Sequence, residues 1–160
     1  MTDFTPAFER AVTHAMLYEV GGWFNANDKE TQQGLIATPF QRKKVGYVND
    51  PDDRGGETKF GVAKNANNDL NITGLTWAQA KQRYYDKYWV AGGCHLLPPR
   101  VAILHFDGCV NHGVDKASKF LQEVVGAKPI DGDVGPGTAK TVLKMNEFDV
   151  CRLLCDRREK

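Results

Sequence analysis

The chain has 160 residues, a length that favours one domain or one domain with a small appended lobe. Its 41% hydrophobic content supports a packed core and argues against disorder, and a formal net charge of +1 argues against a dedicated nucleic-acid binder. It holds no run of about 18 apolar residues, so no membrane span is expected, and the opening MTDFTPAFERAV lacks the basic start and apolar core of a secretory signal.

The first helix is expected from about Pro6 to Tyr18 or Glu19, with Thr5 as N-cap and Pro6 at the first helical position. Phe8, Val12, Ala15, Met16 and Glu19 fall on one face, and Gly21-Gly22 stop the helix. Residues 23–46 show no clear period and read as an irregular insertion or a short β-rich lobe. Within them, Arg42, Lys43 and Lys44 read as a solvated turn. Lys59 to Ala63 is expected to be a short strand or the entry to a helix. Thr76 and Gln79 make a capping box for the next helix. Its stripe of Trp77, Ala80, Lys81, Tyr84 and Tyr88 has the spacing of core, although aromatic faces also line sugar-binding clefts. Pro98-Pro99 open a helix that is apolar on nearly all sides, expected to be the buried central helix, with Asp107 and Asn111 as polar exceptions one turn apart. Asp115 is expected to cap the following helix. Helices from about Thr138 to Met145 and from Glu147 onward complete the chain. The last one meets no stop signal before Lys160, so the natural chain is expected to continue.

The run from Asn49 to Gly61, N-D-P-D-D-R-G-G-E-T-K-F-G, is too polar for core and too rich in Gly for a plain helix. A helix-end Glu ordinarily turns to solvent. Glu19 instead prolongs an apolar stripe, where a carboxylic acid has its pKa raised and stays protonated as a general acid. A protonated Glu opposed to solvated carboxylates is the pairing that glycosidic hydrolysis requires. The acidic run also has the composition of a calcium-binding turn, but its spacing does not match an EF-hand. Cys94, Cys109, Cys151 and Cys155 form no C-x-x-C pair, and the four histidines form no H-E-x-x-H set. Reduced, partly buried thiols are therefore expected, with no metal or other cofactor.

These motifs resemble glycoside hydrolase family 108, phage-type N-acetylmuramidases with a lysozyme-like helical fold. The resemblance rests on E-V-G-G-W (Glu19 to Trp23), the acidic run, F-D-G-C-V-N-H-G (Phe106 to Gly113), K-F-L-Q (Lys119 to Gln122) and D-G-D-V-G-P-G-T (Asp131 to Thr138). It spans nearly the whole chain, with one extra residue, Val20, after the Glu and about two dozen residues between Gly22 and Gly46. It implies a mainly α, lysozyme-like fold with a central buried helix and a small irregular or β-containing lobe. The expected division is a catalytic lobe over 1–90 and a helical peptidoglycan-domain half over 91–160.

The implied substrate is the β-1,4 bond between N-acetylmuramic acid and N-acetylglucosamine in bacterial peptidoglycan. In this reading Glu19 is the acid, Asp53 its partner ahead of Asp50 and Asp52, and Thr58 holds the attacking water, which favours inversion. Asn111, His112, Phe60 and Asp107 are the expected substrate-binding residues. The expected state is a monomer with peptidoglycan as partner and neither nucleic acid nor membrane. It would wait in a host cytoplasm until a separate pore-forming protein releases it to the wall, or travel on a virion. A non-catalytic peptidoglycan-binding module and a lytic transglycosylase are the alternatives. A zinc amidase lacks a ligand set.

Overall fold

A computed structural model describes residues 2–159. It is mainly helical, as expected: α1 (Pro6–Glu19), α2 (Lys29–Gln33), α3 (Pro39–Val45), α4 (Trp77–Tyr84), α5 (Pro99–His112), α6 (Val114–Val125), α7 (Pro136–Val142) and α8 (Glu147–Arg158). Two short strands, β1 (Thr58–Lys59) and β2 (Val62–Ala63), pair antiparallel, with Thr58 opposite Ala63. Tyr85–Val90 continues α4 as a π-helical stretch, and Lys64–Ala66 and Cys94–Leu96 are single 3-10 turns. Contacts divide the chain into two compact units. One is Val12–Arg83; the other joins the N-terminal residues through Ala11 to everything from Tyr84 onward. Among the described residues no helix is long and apolar enough to cross a membrane.

In the Val12–Arg83 unit the core is aromatic at its centre. Phe24 meets Trp77 edge to face at 5.0 Å between ring centroids, and Phe60 lies 5.6 Å from Trp77. The stretch 23–46 holds two short helices, α2 and α3, joined by turns, and no strand among its residues. The Asp28 carboxylate caps α2 by accepting from Thr31 N at 2.9 Å, and Gly34 closes it at φ 66°. Thr38 and Gln41 form a reciprocal capping box for α3, Pro39 occupies its first turn, and Gly46 ends it at φ 59°. Helices of five and seven residues are too short to display a period, so the pattern hid them although the cap residues are in plain sight. Lys44 is likewise no solvated turn residue: its Nζ lies 2.7 Å from Glu30 and 3.2 Å from Asp28.

The strands meet at a two-residue turn, Phe60-Gly61, with φ 52° and 71°. Positive φ at both positions is what a tight hairpin needs, and a Phe tolerates it poorly. Burial of the ring, which is 0% exposed, and a bond from Phe60 N to Val45 O at 2.7 Å hold it there. Beside it Lys59 is also fully buried. Its ammonium donates to Thr73 O at 2.8 Å, and burial pushes its pKa down.

α4 starts at the Thr76–Gln79 box as expected. Trp77, Ala80 and Tyr84 of the stripe are buried, while Lys81 and Tyr88 are half-buried.

In the other unit Phe8, Trp89 and Phe106 form a ring triangle with centroids 5.4 to 5.9 Å apart. α5 buries Val101, Ala102, His105, Phe106, Gly108 and Cys109, as a central helix should. Asp115 does not cap α6. Gly113, at φ 85°, turns the chain in a single residue, and Asp115 sits inside the first turn bonded to Lys119 at 2.9 Å. Gln122 is 1% exposed and fully partnered. Its amide nitrogen donates to Asp131 Oδ1 (2.8 Å), Asp133 O (2.9 Å) and Thr138 Oγ1 (3.3 Å), while its oxygen accepts from Gly132 N (2.9 Å). The K-F-L-Q and D-G-D-V-G-P-G-T motifs thus meet through one buried amide. α7 begins at Pro136, two residues before the expected start. Asn146 caps α8 through Phe148 N at 2.9 Å, and the helix ends at Arg158; the expected continuation to Lys160 lies outside the described residues.

Candidate active site

Glu19 is the last residue of α1, where Gly21 (φ 88°) breaks the helix. Its stripe-mates Val12, Ala15 and Met16 are buried, but Glu19 itself is exposed rather than enclosed in apolar surroundings. The stripe runs out at the helix end, where the following glycines supply no side chains to cover it. Burial of part of the group still raises its pKa by desolvation. These facts describe a carboxyl at a rim, reachable from solvent yet partly stripped of hydration.

The next residue fixes the end of α1. A Cβ placed on Gly46 would lie 3.1 Å from Val20 Cγ2, so α1 ends against the C-cap of α3. The acidic segment starts at that cap. Val48 and Thr58 pair at its base, N to O at 3.0 and 2.8 Å, and enclose residues 49–57 as a loop. Thr58 stands at the foot of the loop, its hydroxyl donating to Gly56 O at 3.3 Å. Asp50, Asp52 and Asp53 are all exposed. Asp50 accepts from Asp52 N at 3.0 Å and Asp53 from Gly55 N at 2.8 Å, so each gives one oxygen to its own turn. The structure therefore gathers the end of α1, the acidic loop and Thr58 into one unit.

Phe60, expected to bind substrate, is fully buried among Phe24 and Trp77 because the hairpin turn drives its ring inward. Asp107, Asn111 and His112 belong to the other unit. There Asn111 is exposed and donates to Asp107 O at 2.9 Å and Oδ1 at 3.1 Å, while Asp107 Oδ2 accepts from Arg158 at 2.6 Å. His112, with Cys155, Arg158 and Glu159, lines an open pocket of about 290 Å³.

Sequence reasoning missed two features of the Val12–Arg83 unit. Glu57 is a half-buried carboxylate that accepts from Tyr47 Oη at 2.8 Å and Thr73 Oγ1 at 2.5 Å, and the bond from Tyr47 to this carboxylate raises the Tyr47 pKa. Its partners are 10 and 16 residues away, so no local pattern announces them. The second is an exposed aromatic pair directly after the glycines that follow Glu19. Trp23 (56% exposed) and Phe40 (50%) meet edge to face at 5.6 Å, with Lys43 and Lys44 over their rings. The G-G-W sequence was its only signal.

Comparison with known proteins bears on this arrangement. The family model described as Glycosyl hydrolase 108 matches residues 41–113, which include the acidic loop, Thr58 and all of α5. No curated protein matches the chain. Among solved structures, the structure of Brucella abortus SagA superposes with a TM-score of 0.67 at 26% identity, covering 94% of this chain and 76% of that one. The fold is accordingly lysozyme-like and mainly α. The match covers the acidic run and F-D-G-C-V-N-H-G, while E-V-G-G-W with Glu19, K-F-L-Q and D-G-D-V-G-P-G-T lie outside it, and the family this chain resembles is glycoside hydrolase family 108.

Proposed function

We propose that the protein is a peptidoglycan hydrolase of the N-acetylmuramidase type, cleaving the β-1,4 bond between N-acetylmuramic acid and N-acetylglucosamine. The observation that carries this reading is the position of Glu19. It is a carboxyl of raised pKa at the rim of its unit, tied through Val20 and Gly46 to a loop of exposed carboxylates with Thr58 at its foot. Glu19 gives its proton to the glycosidic oxygen as the bond to the anomeric carbon breaks. Thr58 orients a water, Asp53 takes the proton that water loses, and the hydroxyl bonds to the anomeric carbon. Water delivered opposite the leaving group inverts that centre. Trp23 and Phe40 offer exposed apolar faces on which pyranose rings pack.

The test is digestion of purified peptidoglycan, with the soluble fragments identified by mass. A muramidase gives new reducing ends at N-acetylmuramic acid with the full mass of water added. Fragments lighter by one water identify a lytic transglycosylase, new amines an amidase, and wall binding with no soluble fragments a binding module.

A further inference from the structure

We propose that Cys94, His105 and Cys109 form a binding site for one zinc ion. Their donor atoms all lie within 4.8 Å of one another, and all three residues are buried, at 0%, 2% and 0% exposure. His105 and Cys109 stand one turn apart on the same face of α5, and Cys94 enters from the single turn that follows Gly92-Gly93. Both sulfurs converge on Gly92. A Cβ there would lie 2.8 Å from Cys109 Sγ and 3.5 Å from Cys94 Sγ, so any side chain at this position would fill the space between the donors.

The separations suit the metal. Zinc bonds of about 2.3 Å to sulfur and about 2.0 Å to nitrogen place those donors roughly 3.5 Å apart in a tetrahedral site. Cys109 Sγ and His105 Nε2 are already 3.6 Å apart. The Gly92 carbonyl lies 2.9 Å from the same nitrogen, so Nε2 binds a metal only with the imidazole proton moved to Nδ1. Two thiolates, a neutral imidazole and one divalent cation sum to zero charge, which a buried site needs. Thiolate and imidazole donors select zinc over calcium or magnesium, which require oxygen. On binding, the two thiol protons leave to solvent. The metal would clip the turn at 92–96 to α5, and it involves none of Glu19, Asp53 and Thr58, so its role is structural.

The experiment refolds the fully reduced whole chain with Co²⁺ as a coloured substitute for Zn²⁺. We expect one equivalent to bind, with intense near-ultraviolet thiolate-to-cobalt absorption and the visible bands of a tetrahedral site. Zn²⁺ should displace it, and the metal-bound form should melt several degrees above chelated protein. Cys94→Ser and Cys109→Ser should abolish the thiolate band, while the Cys151→Ser/Cys155→Ser double variant should retain it. Absence of the band in reduced wild-type protein under excess Co²⁺ would overturn the proposal, whatever the folding of the variants. So would its loss in the Cys151/Cys155 variant alone. So would protein isolated with a Cys94–Cys109 disulfide, two hydrogens lighter, that takes up no Co²⁺ after reduction.

Discussion

Glu19→Gln separates chemistry from folding at a single position. The amide keeps the shape of the acid and has no proton to give, and general acid catalysis contributes roughly 100- to 10,000-fold. The variant should lose at least about 100-fold of the hydrolysis rate on purified peptidoglycan, and retention of a tenth of the rate would remove Glu19 from the role. Stability should move the other way. The Glu19 pKa is raised in the folded chain, so its ionisation is disfavoured there. The stability tied to the neutral form is full below the unfolded pKa and lost as pH rises through the folded one. Gln never ionises, so the variant should melt at the same or a higher temperature than wild type at pH 7, and level with it near pH 3. The same titration shapes catalysis: the wild-type rate should fall on the alkaline side as Glu19 loses its proton, and a pH–rate profile without that limb would argue against an acid of raised pKa. Within the loop, Asp53→Asn should cost more activity than Asp50→Asn or Asp52→Asn. A kinetic ranking led by Asp50 or Asp52 reassigns the partner, as would a Glu57→Gln variant more damaging than all three.

Elements in this chain are set by caps and turns more than by periodicity. Gln122 shows the consequence in the α6–α7 region. Replacing it by Ala leaves Gly132 N and Thr138 Oγ1 short of a buried partner, at roughly 1–3 kcal/mol. Gln122→Ala should therefore melt several degrees lower while hydrolysing normally at low temperature; an unchanged melting curve would show that the amide does not hold the D-G-D turn. The long elements were legible because their signals are local: Thr5 before α1, Thr76 and Gln79 at α4, the proline pair at α5. The same kind of signal stood at Thr38-Pro39-Phe40-Gln41, but without a hydrophobic period to follow, the helix was read as irregular. The hairpin was illegible for another reason. Its turn places Phe60 at positive φ, a position that usually goes to Asn or Gly, and only burial against Phe24 and Trp77 makes it tolerable. Of the candidate site, Glu19 on its stripe and the acidic loop stand out in the sequence, and Thr58 enters only through the family resemblance. The Glu57 bonds, and the meeting of Cys94 with α5, depend on residues brought together from 10 or more positions away.

At the scale of the whole molecule, the proposed chemistry lies in the Val12–Arg83 unit, and the Asp107–Asn111–His112 group lies in the other. Asn111 faces solvent, and among the described residues its amide bonds to Asp107 one turn earlier, so Asn111→Ala should shift the melting temperature little. If its amide meets the wall polymer, the apparent KM should rise while kcat stays near wild type; a fall in stability with unchanged kinetics would make it a brace of α5 instead. The most direct test compares the fragments released from peptidoglycan by wild type and Glu19→Gln under the same conditions. Wild type should release reducing N-acetylmuramic acid ends of full hydrated mass and the variant almost none. Anhydro ends, newly freed amines, or equal release by the variant would contradict a muramidase with Glu19 as its acid.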